Sequence, residues 1–113
     1  MPISCEDYDG IAVLTVAGEF ADEQTTQARQ HIERMLDKGS VRSFVVDFSG
    51  CPFIASDGLE TLLWIKTRCE QLYGRVQLAN CDQNLQKILE MTRLRRRFEI
   101  SDDLERTLRL LRS

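Results

Sequence analysis

A short strand that passes through a tight polar loop directly into a helix constrains the fold more than any other part of this chain. Ser43 to Phe48 is a β-branched and aromatic run, typical of a strand buried in the centre of a sheet. The loop from Phe53 to Leu59 ends at the start of the next helix, where free backbone N–H groups and the helix dipole favour an anion. Because Ser56 and Asp57 stand there, the loop is predicted to be a charge-controlled surface rather than a reaction centre.

The first half of the chain predicts a hairpin followed by a helix. Strands over Ile3 to Tyr8 and Ile11 to Ala17 flank Asp9-Gly10, a favoured two-residue turn. Apolar residues recur at helical spacing from Ala21 to Asp37, and Lys38-Gly39 supplies the stop. This order, continued after the central strand, predicts an α/β fold: a mixed sheet with helices packed against it.

The second half predicts three more helices and two more strands. The helix from Gly58 to Leu72 is expected to end at Gly74 as a left-handed cap. Asp82 is predicted to cap the third helix, and Asp102, with Glu105 three residues later, to begin the last one. The strands are predicted over Arg75 to Ala79 and Phe98 to Ile100. The apolar stripe of the helix after the loop comprises Leu59, Leu62, Ile65, Cys69 and Leu72.

Size and charge predict one domain over residues 1–113. The chain is 42% hydrophobic with a formal net charge of −3, which suits a single core and argues against general nucleic-acid binding. No apolar run approaches the roughly 20 residues needed to cross a bilayer, and the start lacks signal-peptide features, so we expect a cytoplasmic protein without membrane insertion. A local basic cluster is interpreted as a solvated loop and comprises Arg93, Arg95, Arg96 and Arg97.

Neither a metal site, a cofactor site nor a catalytic centre is predicted. The cysteines lack Cys-x-x-Cys spacing and are expected to be buried free thiols; they are Cys5, Cys51, Cys69 and Cys81. His31 has no nucleophile or acid at a catalytic spacing and is expected on the surface. We therefore expect a protein that is not an enzyme.

Three segments resemble the STAS domain of anti-sigma factor antagonists. They are Val45 to Ser49, the loop Phe53 to Leu59 and Leu89 to Leu94, with Gly18-Glu19-Phe20 as a further match. The resemblance covers nearly the whole chain and implies a STAS-like mixed sheet with an opening hairpin and about four helices. It also implies binding of an anti-sigma factor, a serine kinase or another regulatory protein through the loop and the following helix, controlled by phosphorylation there.

The chain departs from the family pattern at the switch itself. Asp57 stands at the usual phosphoacceptor position, and Ala55 and Ala21 replace two acidic residues that relatives place nearby. Arg93 replaces a common glycine. The resemblance therefore implies a partner-binding module whose usual acceptor is a fixed carboxylate.

Asp57 has two interpretations. With Glu60 three residues later it forms a D-x-x-E capping pattern, which predicts a purely structural N-cap. Alternatively, its charge partly mimics a phosphate, and Ser56 is the residue that accepts phosphate in its place. Asp47, at the end of the central strand, is a secondary candidate that is expected to bond the loop backbone.

Trp64 lies opposite the apolar stripe at 100° per residue and is therefore expected to face outward, towards a partner. The partner-binding residues at 55–64 are predicted to be Ser56, Asp57, Gly58, Glu60, Thr61 and Trp64. An alternative within the family is a subunit that docks on a lipid-transport ABC ATPase. An alternative of another class is a nucleotide- or anion-binding domain, against which Asp57 and the lack of a glycine-rich phosphate motif both argue. The oligomeric state stays open.

Overall fold

An antiparallel hairpin opens the structure, a computed structural model that describes residues 3–112. Strands β1 (Ile3–Tyr8) and β2 (Ile11–Ala17) pair from Ile3 with Val16 to Tyr8 with Ile11. Asp9 and Gly10 have φ angles of 55° and 90°, as a type I′ turn requires. The predicted hairpin is thus confirmed with both strands at their expected bounds.

Three parallel crossovers extend the hairpin into a five-stranded mixed sheet of order β1-β2-β3-β4-β5. The added strands are β3 (Ser43–Gly50), β4 (Val76–Ala79) and β5 (Glu99–Ser101). The crossover helices are α1 (Glu23–Asp37), α2 (Ser56–Gln71) and α3 (Gln83–Met91). Because right-handed crossovers that all step in one direction place their helices on one face, the three helices share a single core with the sheet.

The last helix, α4 (Leu104–Arg112), covers the opposite face of the sheet. Its stripe, Leu104, Leu108 and Leu111, packs on a small cluster that contains Val13 and Val45. Alternation along the central strands explains the two cores, since successive side chains point to opposite faces. The mixed α/β architecture with four helices agrees with the sequence prediction.

The end of α2 and the start of α4 both differ from the predictions. Tyr73, rather than Gly74, adopts the left-handed conformation after α2, with φ 60°. Gly74 is required for a different reason, because a Cβ there would lie 1.8 Å from the carbonyl oxygen of Arg42. At α4, Asp103 rather than Asp102 precedes the first helical residue, and its Oδ1 accepts a hydrogen bond from the Arg106 N–H at 3.3 Å.

Two further predictions, one for the start of α3 and one for the arginine cluster, can be compared with the structure. Asp82 caps α3 as expected, since its Oδ1 accepts the Leu85 N–H at 2.9 Å. The arginine cluster expected in a loop instead includes a short 3-10 helix, Arg95–Arg97. Within residues 3–112, no helix is both long enough and apolar enough to cross a bilayer.

Candidate functional site

The site lies where the parallel strands β2 and β3 end, because their following loops are joined there by main-chain hydrogen bonds. The Phe20 N–H donates to the Phe53 carbonyl at 2.9 Å, and the Ala55 N–H donates to the Phe20 carbonyl at 3.1 Å. The Phe20 ring is fully buried and packs edge-on against Phe48, with 6.0 Å between centroids. The β2–α1 loop (18–22) and the β3–α2 loop (51–55) therefore form one rigid unit in front of α2.

Asp57 adds a side-chain bond between the β2–α1 loop and the start of α2. Its Oδ2 accepts a hydrogen bond from the Asp22 N–H at 2.8 Å. The capping prediction was wrong: α2 begins at Ser56, so Ala55 is the N-cap residue, without a side-chain cap, and Asp57 lies in the first turn. A carboxylate there is still favoured by the helix dipole, but its partner is 35 residues away.

The Asp22 bond stabilises a conformation that an L-residue rarely adopts. Asp22 has φ 52° and ψ −125°, and it precedes α1 without a side-chain cap of its own. The second oxygen of Asp57, Oδ1, is buried and has no hydrogen-bond partner in the part of the chain that the structure describes. Asp57 thus ties the β2–α1 loop to the first turn of α2 through one carboxylate oxygen, and the other oxygen has no partner within residues 3–112.

Gly58 and Thr61 support the site from beneath rather than from its surface. A Cβ on Gly58 would lie 2.4 Å from the Phe20 carbonyl oxygen, so only glycine allows the loop to approach the helix this closely. Thr61 is 1% exposed, and its hydroxyl donates to the Asp57 carbonyl at 2.8 Å. In this structure neither residue offers a partner an accessible side chain.

The accessible part of the site is acidic. Ser56 and Glu60 are exposed on the first turns of α2, beside the exposed residues Glu19 and Asp22 of the neighbouring loop. None of these carboxylates forms an ion pair with another residue between 3 and 112. We refer to these exposed residues, together with the half-buried Asp57 behind them, as the acidic loop surface: Glu19, Asp22, Ser56, Asp57 and Glu60.

Trp64 does not face outward as expected. It is partly buried against the core, between the guanidinium groups of Arg29 and Arg68, which lie 5.0 and 5.8 Å from the ring centroid. The helical phase places Trp64 opposite the apolar stripe, but α1 packs along that flank of α2 and covers the ring. The cation–π contact of Arg29 with Trp64 therefore stabilises the α1–α2 junction, and Arg68 of α2 adds an ion pair to Glu33 of α1 at 3.4 Å.

Asp47 secures the end of β3. It is 7% exposed, and its Oδ1 accepts hydrogen bonds from the Asn80 side chain and the Ser49 N–H, both at 3.0 Å. These bonds join the ends of β3 and β4, in agreement with the expectation that Asp47 bonds the loop backbone.

The burial of the thiols and of the histidine does not favour nucleophilic or acid–base catalysis. Burial raises the pKa of Cys69 and of Cys81 to about 12 and that of Cys5 to about 11, and it also raises the pKa of Cys51. Neutral thiols are weak nucleophiles. Partial burial, with the charge of Arg34, lowers the pKa of His31. Over residues 3–112, no group of histidine, cysteine and carboxylate side chains has a metal-binding arrangement.

This mixed sheet, with three crossover helices on one face and a single helix on the other, is the α/β fold of STAS domains. The model of the STAS domain family matches residues 2–107, and the chain therefore belongs to this family.

Solved structures specify the resemblance further. An anti-sigma factor antagonist from Mycobacterium paratuberculosis is 26% identical, with 98% of this chain and 93% of that chain covered and a TM-score of 0.79. The anti-sigma factor antagonist SpoIIAA in its unphosphorylated form is 21% identical, with coverage of 97% and 96% and a TM-score of 0.87. SpoIIAA in its phosphorylated form, a Bacillus cell fate determinant, is 20% identical, with coverage of 94% and 96% and a TM-score of 0.77. The chain is a STAS domain that resembles anti-sigma factor antagonists.

Sequence reasoning missed the role of Asp22. Its contribution is a backbone N–H and a strained φ angle, and no local pattern in the sequence signals either one. It also missed Arg29, which is separated from Trp64 by a full crossover and meets it only because α1 and α2 are neighbours.

Proposed function

We propose that this chain is a non-enzymatic interaction module of the anti-sigma factor antagonist type, which binds an anti-sigma factor or regulatory serine kinase through the acidic loop surface. The hydrogen bond between Asp57 and the Asp22 N–H carries the proposal. It holds the two loops and the start of α2 in one arrangement, so a partner meets a surface that is already ordered. Preorganisation of this kind lowers the conformational entropy lost on binding.

The charge of the surface indicates the chemistry of the partner. Glu19, Asp22 and Glu60 are exposed and unpaired within residues 3–112, which favours a partner surface rich in lysine and arginine. Association is then expected to slow as ionic strength rises, because exposed charges are screened over about 8–10 Å at 0.10–0.15 M salt.

A fixed carboxylate at the usual acceptor position implies a switch that differs from the family pattern. Asp57 has one formal negative charge, less than the roughly 1.5 to 2 of a phosphoserine. One oxygen of this carboxylate already accepts the hydrogen bond from the Asp22 backbone N–H. We propose that binding does not depend on phosphorylation of Asp57. Ser56 is exposed and its hydroxyl has no side-chain hydrogen bond within residues 3–112, so it is the one residue of this surface that a serine kinase is expected to modify.

Intact-mass measurement after incubation with the partner kinase and ATP tests this part of the proposal. We expect no added phosphate, or a single phosphate that is lost in the Ser56→Ala variant. Stoichiometric phosphate on a residue outside the acidic loop surface would contradict the proposed location of the switch.

Affinity capture from the native cell extract, followed by binding assays with the purified partner, tests the proposal as a whole. We expect an anti-sigma factor or serine kinase to be recovered, and Glu60→Lys to weaken binding at least about tenfold. Glu105→Lys is the matched control, since Glu105 is exposed on α4, across the sheet. Recovery of a lipid-transport ATPase would favour the alternative within the family, and equal loss in both variants would refute the surface assignment.

A further inference from the structure

Three arginines converge on one cavity at the end of α3, far along the chain from the acidic loop surface. Arg93, Arg95 and Arg96 line a cavity of about 530 Å³, together with Glu90. The cavity opens to solvent, since Glu90, Arg93 and Arg96 are exposed and Arg95 is half-buried. Three positive charges and one negative charge leave a local charge of plus two, in a chain whose net charge is −3.

These charges are not neutralised by the protein. Within residues 3–112, none of the three guanidinium groups forms a side-chain hydrogen bond or an ion pair, and neither does the Glu90 carboxylate. Three arginines outside this cluster do form ion pairs within residues 3–112: Arg68 with Glu33, Arg75 with Glu99 and Arg112 with Asp9. Like charges that are held close together without counterions attract an anion of matching charge.

The backbone at Arg93 supports a role for its guanidinium. Arg93 has φ 63°, in the left-handed region that glycine adopts without strain. The turn is well defined, because the Arg93 N–H donates to the Glu90 carbonyl at 3.0 Å and the Leu94 N–H donates to the Leu89 carbonyl at 2.8 Å. This left-handed turn sets the direction in which the Arg93 side chain leaves the end of α3, and the side chain lines the cavity.

The following arginines separate into two groups. Arg95–Arg97 form a short 3-10 helix, and of these three residues Arg95 and Arg96 line the cavity together with Arg93. Arg97 lines a different cavity, beside Arg75 and Glu99. The convergence at the larger cavity is therefore a property of particular positions and not of arginine content alone.

We propose that Arg93, Arg95 and Arg96 form a binding site for the terminal phosphate of a phosphorylated ligand. The planar fork of each guanidinium can donate two parallel hydrogen bonds to phosphate oxygens, and a phosphate dianion matches the local charge of plus two. This site is separate from the acidic loop surface, and its failure would leave the proposed partner binding untouched.

Calorimetric titration of the full chain with inorganic pyrophosphate in chloride buffer tests the site. We expect saturable binding to one site, weakened at least about tenfold by Arg93→Gly and by Arg96→Gln, as for the loss of a charge-assisted contact. Glycine suits the left-handed turn, so Arg93→Gly is expected to stay folded, which circular dichroism checks. Arg97→Gln is the matched control with the same change in net charge, and its affinity is expected to change less than about twofold.

Vesicles that contain phosphatidic acid distinguish a lipid headgroup from a free phosphate compound. Binding to pyrophosphate alone supports a small phosphorylated ligand, and binding to the vesicles with loss in Arg93→Gly supports the same site with a lipid source. Equal weakening by Arg97→Gln and Arg93→Gly would overturn the proposal, because it would show unspecific attraction. The absence of binding to both probes, or binding only to an acidic peptide, would overturn it as well.

Discussion

Replacing Asp57 by alanine tests the hydrogen bond that joins the β2–α1 loop to the start of α2. A hydrogen bond to a charged group contributes about 1.5–3 kcal/mol, and a carboxylate in the first helical turn contributes about 0.3–1 kcal/mol more. The same substitution also removes the buried, unpartnered Oδ1, whose desolvation destabilises the folded state, and this offsets about 1 kcal/mol of the loss. We therefore expect Asp57→Ala to lower the free energy of unfolding by about 2 kcal/mol, a substantial part of the 5–15 kcal/mol typical of a domain.

Two further substitutions separate the tie from a capping role. If Asp57 were the N-cap, Asp57→Ser would retain most of the stability, since serine caps helices well. In this structure the carboxylate instead reaches the Asp22 N–H, so the shorter serine is expected to lose nearly as much stability as alanine. Asp57→Asn keeps an acceptor without the charge and is expected to lose about half as much. Glu60→Ala, an exposed change on the same helix, is expected to stay within about 0.5 kcal/mol of the wild type.

Urea denaturation followed by far-UV circular dichroism measures these free energies. Hydrogen exchange of the Asp22 amide gives a local readout, because within residues 3–112 the Asp57 carboxylate is the acceptor of this N–H. Its exchange is expected to accelerate in Asp57→Ala. Wild-type stability in both Asp57→Ala and Asp57→Ser, with unchanged exchange at Asp22, would refute the reasoning.

Three other substitutions or titrations have defined outcomes. Gly58→Ala is expected to lower the free energy of unfolding by about 3 kcal/mol, since its Cβ would meet the Phe20 carbonyl oxygen at 2.4 Å; thermal denaturation measures the loss. Trp64 emission is expected to be blue-shifted in the free protein, and Arg29→Ala should shift it to the red and cost about 0.5–1 kcal/mol; an exposed emission spectrum in the wild type would contradict the packing. The pKa of Cys69 is raised to about 12 in the folded state from an ordinary value of 9.0, so the neutral thiol stabilises the fold fully below about pH 9 and this contribution is lost as the pH rises towards 12. Urea titrations across that range should show a smaller decline for Cys69→Ala than for the wild type.

Local patterns in the sequence were sufficient for most elements of the fold. The hairpin bounds were predicted because Asp9-Gly10 specifies a type I′ turn on chemical grounds alone. The cap at Asp82 and the apolar stripe of α4 are equally local, since each depends on residues within one or a few helical turns. The prediction of Gly74 as a left-handed cap was wrong, and the reason that glycine is required there, the approach of the Arg42 carbonyl, comes from a distant segment.

Some features of the candidate site likewise follow from the local sequence, and others depend on the tertiary structure. Sequence alone determined that an anion stands at the start of α2 and that a strand leads into it, because periodicity and turn chemistry act over a few residues. Tertiary structure alone decided that Asp57 bonds Asp22, that α1 covers Trp64, and that three arginines share one cavity. Each of these depends on which elements become neighbours in the sheet order and on the direction in which a side chain leaves a strained turn. The bond from Asp57 to Asp22 and the contact of Arg29 with Trp64 join residues that are distant in the chain, where no local propensity acts.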